Sequence, residues 1–127
     1  MKKFIVDTNV FLRFLLKDNK KFYQTASEYF SQAKKKKLIL ILIPEVIFEL
    51  DYVLRGVYSL SRKESAEVLQ KLVKSPDLEV KNRNNLIEAL EEYQKINADL
   101  VDLFIAETAK SERAKVVSFD KDFKKIT

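Results

Sequence analysis

The sequence predicts an α/β fold: one domain over residues 1–127, with a small, mostly parallel sheet of about four or five strands flanked by helices. Three observations carry this. Short apolar runs alternate with segments of helical periodicity along the whole chain. The run Leu38–Ile43 is apolar on both faces and rich in β-branched residues, the pattern of a central parallel strand. Several connections between strands have room for two helices, which keeps the sheet small.

Lys3-Phe4-Ile5-Val6 reads as the first strand, and Asp7-Thr8-Asn9 as the turn or helix cap that ends it. Val10–Leu16 begins a helix. Phe22–Lys36 is a second, with Ala26, Tyr29, Phe30 and Ala33 at helical spacing. It ends in Lys34-Lys35-Lys36-Lys37, a charge run that suits a helix C-terminus and is read as a solvated end. After the strand at Leu38–Ile43, Pro44 opens a helix over Glu45–Arg55, and Gly56 is placed to end it. Ser61-Arg62-Lys63-Glu64 has capping-box form and opens a helix to about Lys74. Ser75-Pro76 breaks that helix before a short strand at Leu78–Val80. Leu86–Ile96 and Asp99–Ser111 are two further helices, and Lys115–Phe119 is the last strand.

The composition narrows the chemistry. There is no histidine, no cysteine and one glycine, Gly56. Histidine- or thiol-based nucleophilic catalysis, Cys/His zinc sites, disulfides and glycine-rich phosphate loops are thereby excluded. Any catalysis rests on carboxylates, hydroxyls, Lys and Arg, and carboxylate oxygens favour a hard cation, Mg²⁺ or Mn²⁺. The net charge of +5 suits a polyanionic partner without demanding one. The longest apolar run is far shorter than the ~20 residues a membrane helix needs. The short apolar stretch after Met1-Lys2-Lys3 meets Asp7 at once, so no signal peptide and a cytoplasmic address are expected.

Open α/β sheets place their functional crevice outside the carboxyl ends of the strands. Asp7 follows the first strand there, Asp120 follows the last, and Asp122 lies two residues on. Asp7 could equally be a helix cap. In the helix at Asp99–Ser111, Asp102 falls within the apolar arc of Val101, Ile105, Ala98, Ala109 and Ala106, with Asp99 one turn before it. A carboxylate on a core-facing stripe is costly unless it is paired or binds a cation. Glu49 and Asp51 flank the apolar arc of their helix on opposite rims, and spacing makes both ordinary rim acids. Phe11, Tyr52 and Phe119 could stack on bases, but their spacing is read as core packing.

Four blocks in order resemble PIN domains, and in particular the small nucleases of the VapC toxin type. They are Ile5-Val6-Asp7-Thr8-Asn9-Val10-Phe11-Leu12; Ile43-Pro44-Glu45-Val46-Ile47-Phe48-Glu49-Leu50 with Val53-Leu54; Ala98-Asp99-Leu100-Val101-Asp102 through Ala106; and Val116-Val117-Ser118-Phe119-Asp120-Lys121-Asp122-Phe123. The resemblance covers nearly the whole chain. It implies a PIN-like α/β/α sandwich and a Mg²⁺- or Mn²⁺-dependent endoribonuclease. By position, Asp7, Glu49, Asp102 and Asp120 would be its catalytic, metal-holding acids, with Asp122 as the rival fourth acid and Asp99 as a further candidate ligand. Thr8 and Ser118 match hydroxyl positions near the metal, and Asn9 a residue that supports the first acid. One departure stands out: Arg113-Ala114-Lys115 replaces the glycine relatives often carry before the last strand.

RNA would need basic contacts beside the acids, for which Arg13, Lys17, Lys121 and Lys124 are candidates. The resemblance also implies a small antitoxin partner that covers the active site, and a homodimer. Phe11, Phe14, Leu15, Phe22 and Tyr23 on the early helices are candidate exposed apolar contacts. The main alternative is a non-catalytic PIN-like RNA-binding or scaffolding module. A phosphoacceptor receiver domain fits less well, since the first strand ends in a single acid and the strand at Leu38–Ile43 ends in Pro44.

Overall fold

A computed structural model describes residues 1–127. Strand β1 (Lys3–Ile5) leads into α1 (Thr8–Leu16) and α2 (Lys20–Lys34), then β2 (Ile39–Leu42), α3 (Pro44–Gly56) and α4 (Arg62–Lys74). Strand β3 (Glu79–Val80) follows, then α5 (Arg83–Lys95), α6 (Leu100–Ser111) and a short 3₁₀ turn at Lys121–Lys125. The three strands form one parallel sheet in the order β1-β2-β3, with Phe4 opposite Leu40 and Leu42 opposite Val80.

Local chemistry explains most boundaries. Asn19 caps α2 by accepting the Phe22 N–H at 3.0 Å. Ser61 and Glu64 close the expected capping box on α4, at 3.1 and 2.9 Å. Pro44 sits in the first turn of α3, where its missing N–H leaves no helix bond unmade. The core is the shared apolar face of these elements: Phe11 from α1, Leu40 and Leu42 from β2, Ile47, Leu50 and Leu54 from α3, and Leu69, Leu86 and Leu90 from α4 and α5. Leu40 and Leu42 are buried outright while Ile39 and Ile41 are half-buried, so β2 is covered on both faces as its sequence predicts.

Three expectations need correction. The sheet has three strands rather than four or five, because Lys115–Phe119 forms no ladder. Its local β-propensity is real, but a strand is completed only by a partner, and Val117 and Phe119 stand fully in solvent. Arg113, in the Arg113-Ala114-Lys115 stretch, takes φ 54° in the left-handed region at the turn leading into this segment. The outer edge of β1 consequently has no neighbour, and Ile5 on it is 65% exposed. Gly56 is the last residue of α3 with an ordinary helical φ, and Ser59 supplies the left-handed turn after it. Phe11 is fully buried, which removes it from the exposed apolar candidates; Phe14 stacks on Tyr23 and packs on Phe30, and Phe22 remains half exposed.

Candidate active-site cleft

A cleft of about 950 Å³ opens where α3, the α5–α6 connection and the C-terminal turn meet. Asp99, Asp102, Asp120 and Asp122 all line it. Helix α6 supplies the first two. Asp99 is its N-cap, accepting the Val101 N–H at 3.0 Å, and Asp102 stands in the first turn. Asp120 caps the 3₁₀ turn, accepting the Asp122 N–H at 2.9 Å, while its own N–H donates to Ser118 Oγ at 3.0 Å. Ser118 thus holds the backbone of Asp120, although Ser118 itself does not line the cleft.

Asp102 is the half-buried acid of the group. Burial pushes its carboxyl up from the usual range, and the charges of Asp99, Asp120 and Asp122 push it the same way. No protein cation offsets this. The only ion pair in the group is the exposed Lys125–Asp122 contact at 3.9 Å.

Asp7 and Glu49 lie outside this cleft. Asp7 is the N-cap residue of α1, but its side chain makes no capping bond, so the cap reading fails and the carboxylate stays free. Beside it, Thr8 is 3% exposed and its Oγ1 has no hydrogen-bond partner, a rare state for a buried hydroxyl. Glu49 is exposed on α3. Asn9 is exposed, and no hydrogen bond joins its side chain to Asp7. The structure therefore gathers four of the six predicted acids and leaves Asp7 and Glu49 apart, with no three acids close enough to hold an ion together. The donor chemistry still fits a hard divalent cation: oxygen ligands only, a half-buried unpaired carboxyl at Asp102, and an orphaned hydroxyl next to Asp7.

The predicted basic residues divide. Arg13 donates to Asp18 at 2.6 Å, a bond that holds its guanidinium above its ordinary pKa, and Lys17 lies over the Tyr23 ring at 5.4 Å. Lys125 lines the cleft, whereas Lys121 and Lys124 do not.

Sequence reasoning missed the opposite wall. Asp51 is no rim acid: it is buried, accepting Ser65 Oγ–H and Tyr93 Oη–H, both at 2.7 Å. Arg55 donates to Tyr93 Oη at 2.6 Å and lies 3.8 Å from Asp51. Arg62 covers the Tyr93 ring at 3.8 Å and donates to the carbonyls of Tyr93, Ile96 and Ala98 at 2.7–2.9 Å. Tyr93 and these two arginines line the cleft with Tyr52, which is 75% exposed and so is not the core residue its spacing suggests. The one local signal was the i, i+3, i+4 spacing of Phe48, Asp51, Tyr52 and Arg55 on a single helix face. Tyr93, 42 residues away, left none.

Comparison with known proteins gives the following. A family model described as PIN domain matches residues 4–127. A VapC ribonuclease of Aquifex aeolicus (strain VF5) is 31% identical over 123 residues, covering 96% of this chain and 90% of that protein. No solved structure matches the chain. None of the helices is long and apolar enough to cross a membrane.

Proposed function

Since the chain belongs to the PIN domain family and aligns nearly end to end with a VapC ribonuclease, we propose that it is a metal-dependent endoribonuclease, the toxin of a toxin–antitoxin pair. The observation that carries this reading is Asp102, a half-buried carboxyl with no cation of its own on a wall shared with Asp99, Asp120 and Asp122. Such a cluster is strained by its own charge, and a divalent cation relieves that strain.

Asp102 and Asp120, with Asp99 and Asp122 beside them, are the groups that would hold Mg²⁺ or Mn²⁺ once drawn together, since no three of them meet as the chain stands, and the resemblance adds Asp7 and Glu49. When bound, the ion supplies positive charge that polarises the scissile phosphate and makes water a better nucleophile. The protein groups do the positioning. Ser118 fixes Asp120, and Asp99 is fixed by the helix end it caps. Arg55 and Lys125 line the same cleft and draw the phosphate chain in. The proposal extends to a cytoplasmic setting, a homodimer and a small antitoxin that covers the cleft.

The test is cleavage of a folded RNA in millimolar Mg²⁺ or Mn²⁺. Asp102→Asn and Asp7→Asn should each slow cutting by at least ~100-fold, given that even outer-shell partners of metal ligands are worth 10–100-fold. Excess EDTA should stop it. Asp102→Asn should also melt no lower than wild type, because it removes a carboxylate whose raised pKa marks it as destabilised when charged. Full activity in either variant, or in EDTA, overturns the assignment. RNA binding without cleavage or metal uptake would favour the scaffolding alternative.

A further inference from the structure

We propose that Tyr52 and Arg55 form a nucleotide subsite beside the acids: the Tyr52 ring stacks on an unpaired base and the Arg55 guanidinium takes a backbone phosphate. This rests on the nuclease reading and adds to it a place for one base and one phosphate of the substrate.

Both residues stand on the face of α3 that lines the cleft, at i and i+3. Their neighbours on that face are already engaged. Phe48 packs edge-on against Phe104 with ring centroids 5.4 Å apart, and Asp51 is buried in its hydrogen bonds to Ser65 and Tyr93. Tyr52 has no such partner. An aromatic ring left 75% exposed inside a cleft is a flat apolar surface with room above it, and every base has a face that fits it.

Arg55 is the complementary group. One terminal nitrogen is fixed by Tyr93 Oη at 2.6 Å, with Asp51 3.8 Å behind it. Its remaining N–H groups have no protein acceptor, and its side chain is 40% exposed. An arginine held by one corner presents the rest of its fork with little rotamer entropy left to lose. Arg62 is pinned more closely: its Nη2 alone reaches three carbonyls and its plane lies on the Tyr93 ring, so it builds the wall that steadies Arg55. The four aspartates line the same cleft. A nucleic acid entering it thus meets a free cation and an open ring as well as the carboxylates. A duplex keeps its bases stacked on each other and cannot use the ring.

The experiment is fluorescence anisotropy of a short labelled oligoadenylate in EDTA, single-stranded or paired with oligouridylate, followed by cleavage of the single strand in Mg²⁺ and in Mn²⁺. Tyr52→Ala should weaken single-strand binding roughly 5- to 100-fold, the loss typical of one stacked base, while Tyr52→Phe stays near wild type. Arg55→Gln should flatten the slope of log affinity against log salt by ~0.7, one phosphate contact on a single strand. Arg55→Lys, which keeps the charge, should restore most of that slope. The duplex should bind more weakly than the single strand. Single-strand binding unchanged in Tyr52→Ala, or absent in wild type, overturns the subsite. Tyr52-dependent binding without cleavage in either metal upholds the subsite and overturns the nuclease reading. Cleavage with Tyr52-independent binding does the reverse.

Discussion

The two walls of the cleft are held by opposite means. On the α3 side a buried carboxylate, Asp51, is fixed by a tyrosine and a serine, and the arginines around Tyr93 are fixed in turn. On the other side Asp120 and Asp122 ride on a 3₁₀ turn that buries none of its residues and is held chiefly by local bonds to Ser118 and within the turn. The first wall is a fixed surface and the second a low-stability one, of the kind from which elements that adjust to a ligand are drawn.

The largest effect expected from disturbing this contrast is at Asp51. Asp51→Ala leaves the Ser65 hydroxyl and the Tyr93 phenol as buried donors without their acceptor, at about 1–3 kcal/mol each. A loss of roughly 2–6 kcal/mol by urea unfolding is expected, enough to threaten a domain of this size. A loss below ~1 kcal/mol would mean that the fixed wall is no firmer than the mobile one.

Tyr93 gives a smaller effect with a pH signature. Burial pushes its phenol up to about 12, and the hydrogen bond to Asp51 and that group's charge add to the shift. The unfolded chain releases this proton near pH 10. The folded state keeps it to about 12, so the stabilisation is complete below pH 10 and is lost as pH rises from there towards 12. Tyr93→Phe should cost about 1–2 kcal/mol at neutral pH and shed that alkaline slope. Chemical unfolding at neutral pH and across the interval from 10 to 12 checks both parts.

What was legible in the sequence follows the same division between local and distant causes. The capping box at Ser61 and Glu64, Pro44 at the start of α3 and the two-sided apolar strand β2 are local patterns, and the fold carries them as read. Asp102 is half-buried as expected, but not on the stripe that suggested it: α6 buries Leu100, Leu103 and Ala106, whereas Val101 and Ile105 of the expected arc are exposed, because the neighbours that cover the helix come from distant segments. Asp51 was not legible, because the rim position that suggested a solvated acid is closed by Ser65 and Tyr93 from α4 and α5. Tyr52 misled for the converse reason: its spacing suits a core, but nothing arrives to cover it. The last strand failed in the same way. Lys115–Phe119 has the residues of a strand, yet pairing is a property of two segments.

That segment supplies the smallest expected effect. Val117 has 95% of its surface in solvent, and residues 115–119 bond to no strand. Val117→Ser should therefore change stability by less than ~0.5 kcal/mol, the usual range for a surface site remote from caps, cores and networks. A buried strand valine would behave differently: losing its apolar area and burying a hydroxyl in its place costs on the order of 1–3 kcal/mol. The outer edge of β1, with Ile5 exposed, is an open place for such a strand in this fold. A urea midpoint for Val117→Ser that falls by the larger amount, alongside an Ile5→Ser variant that falls with it, would put residues 115–119 on that edge. It would also carry Asp120 to a strand end and make the second wall as firm as the first.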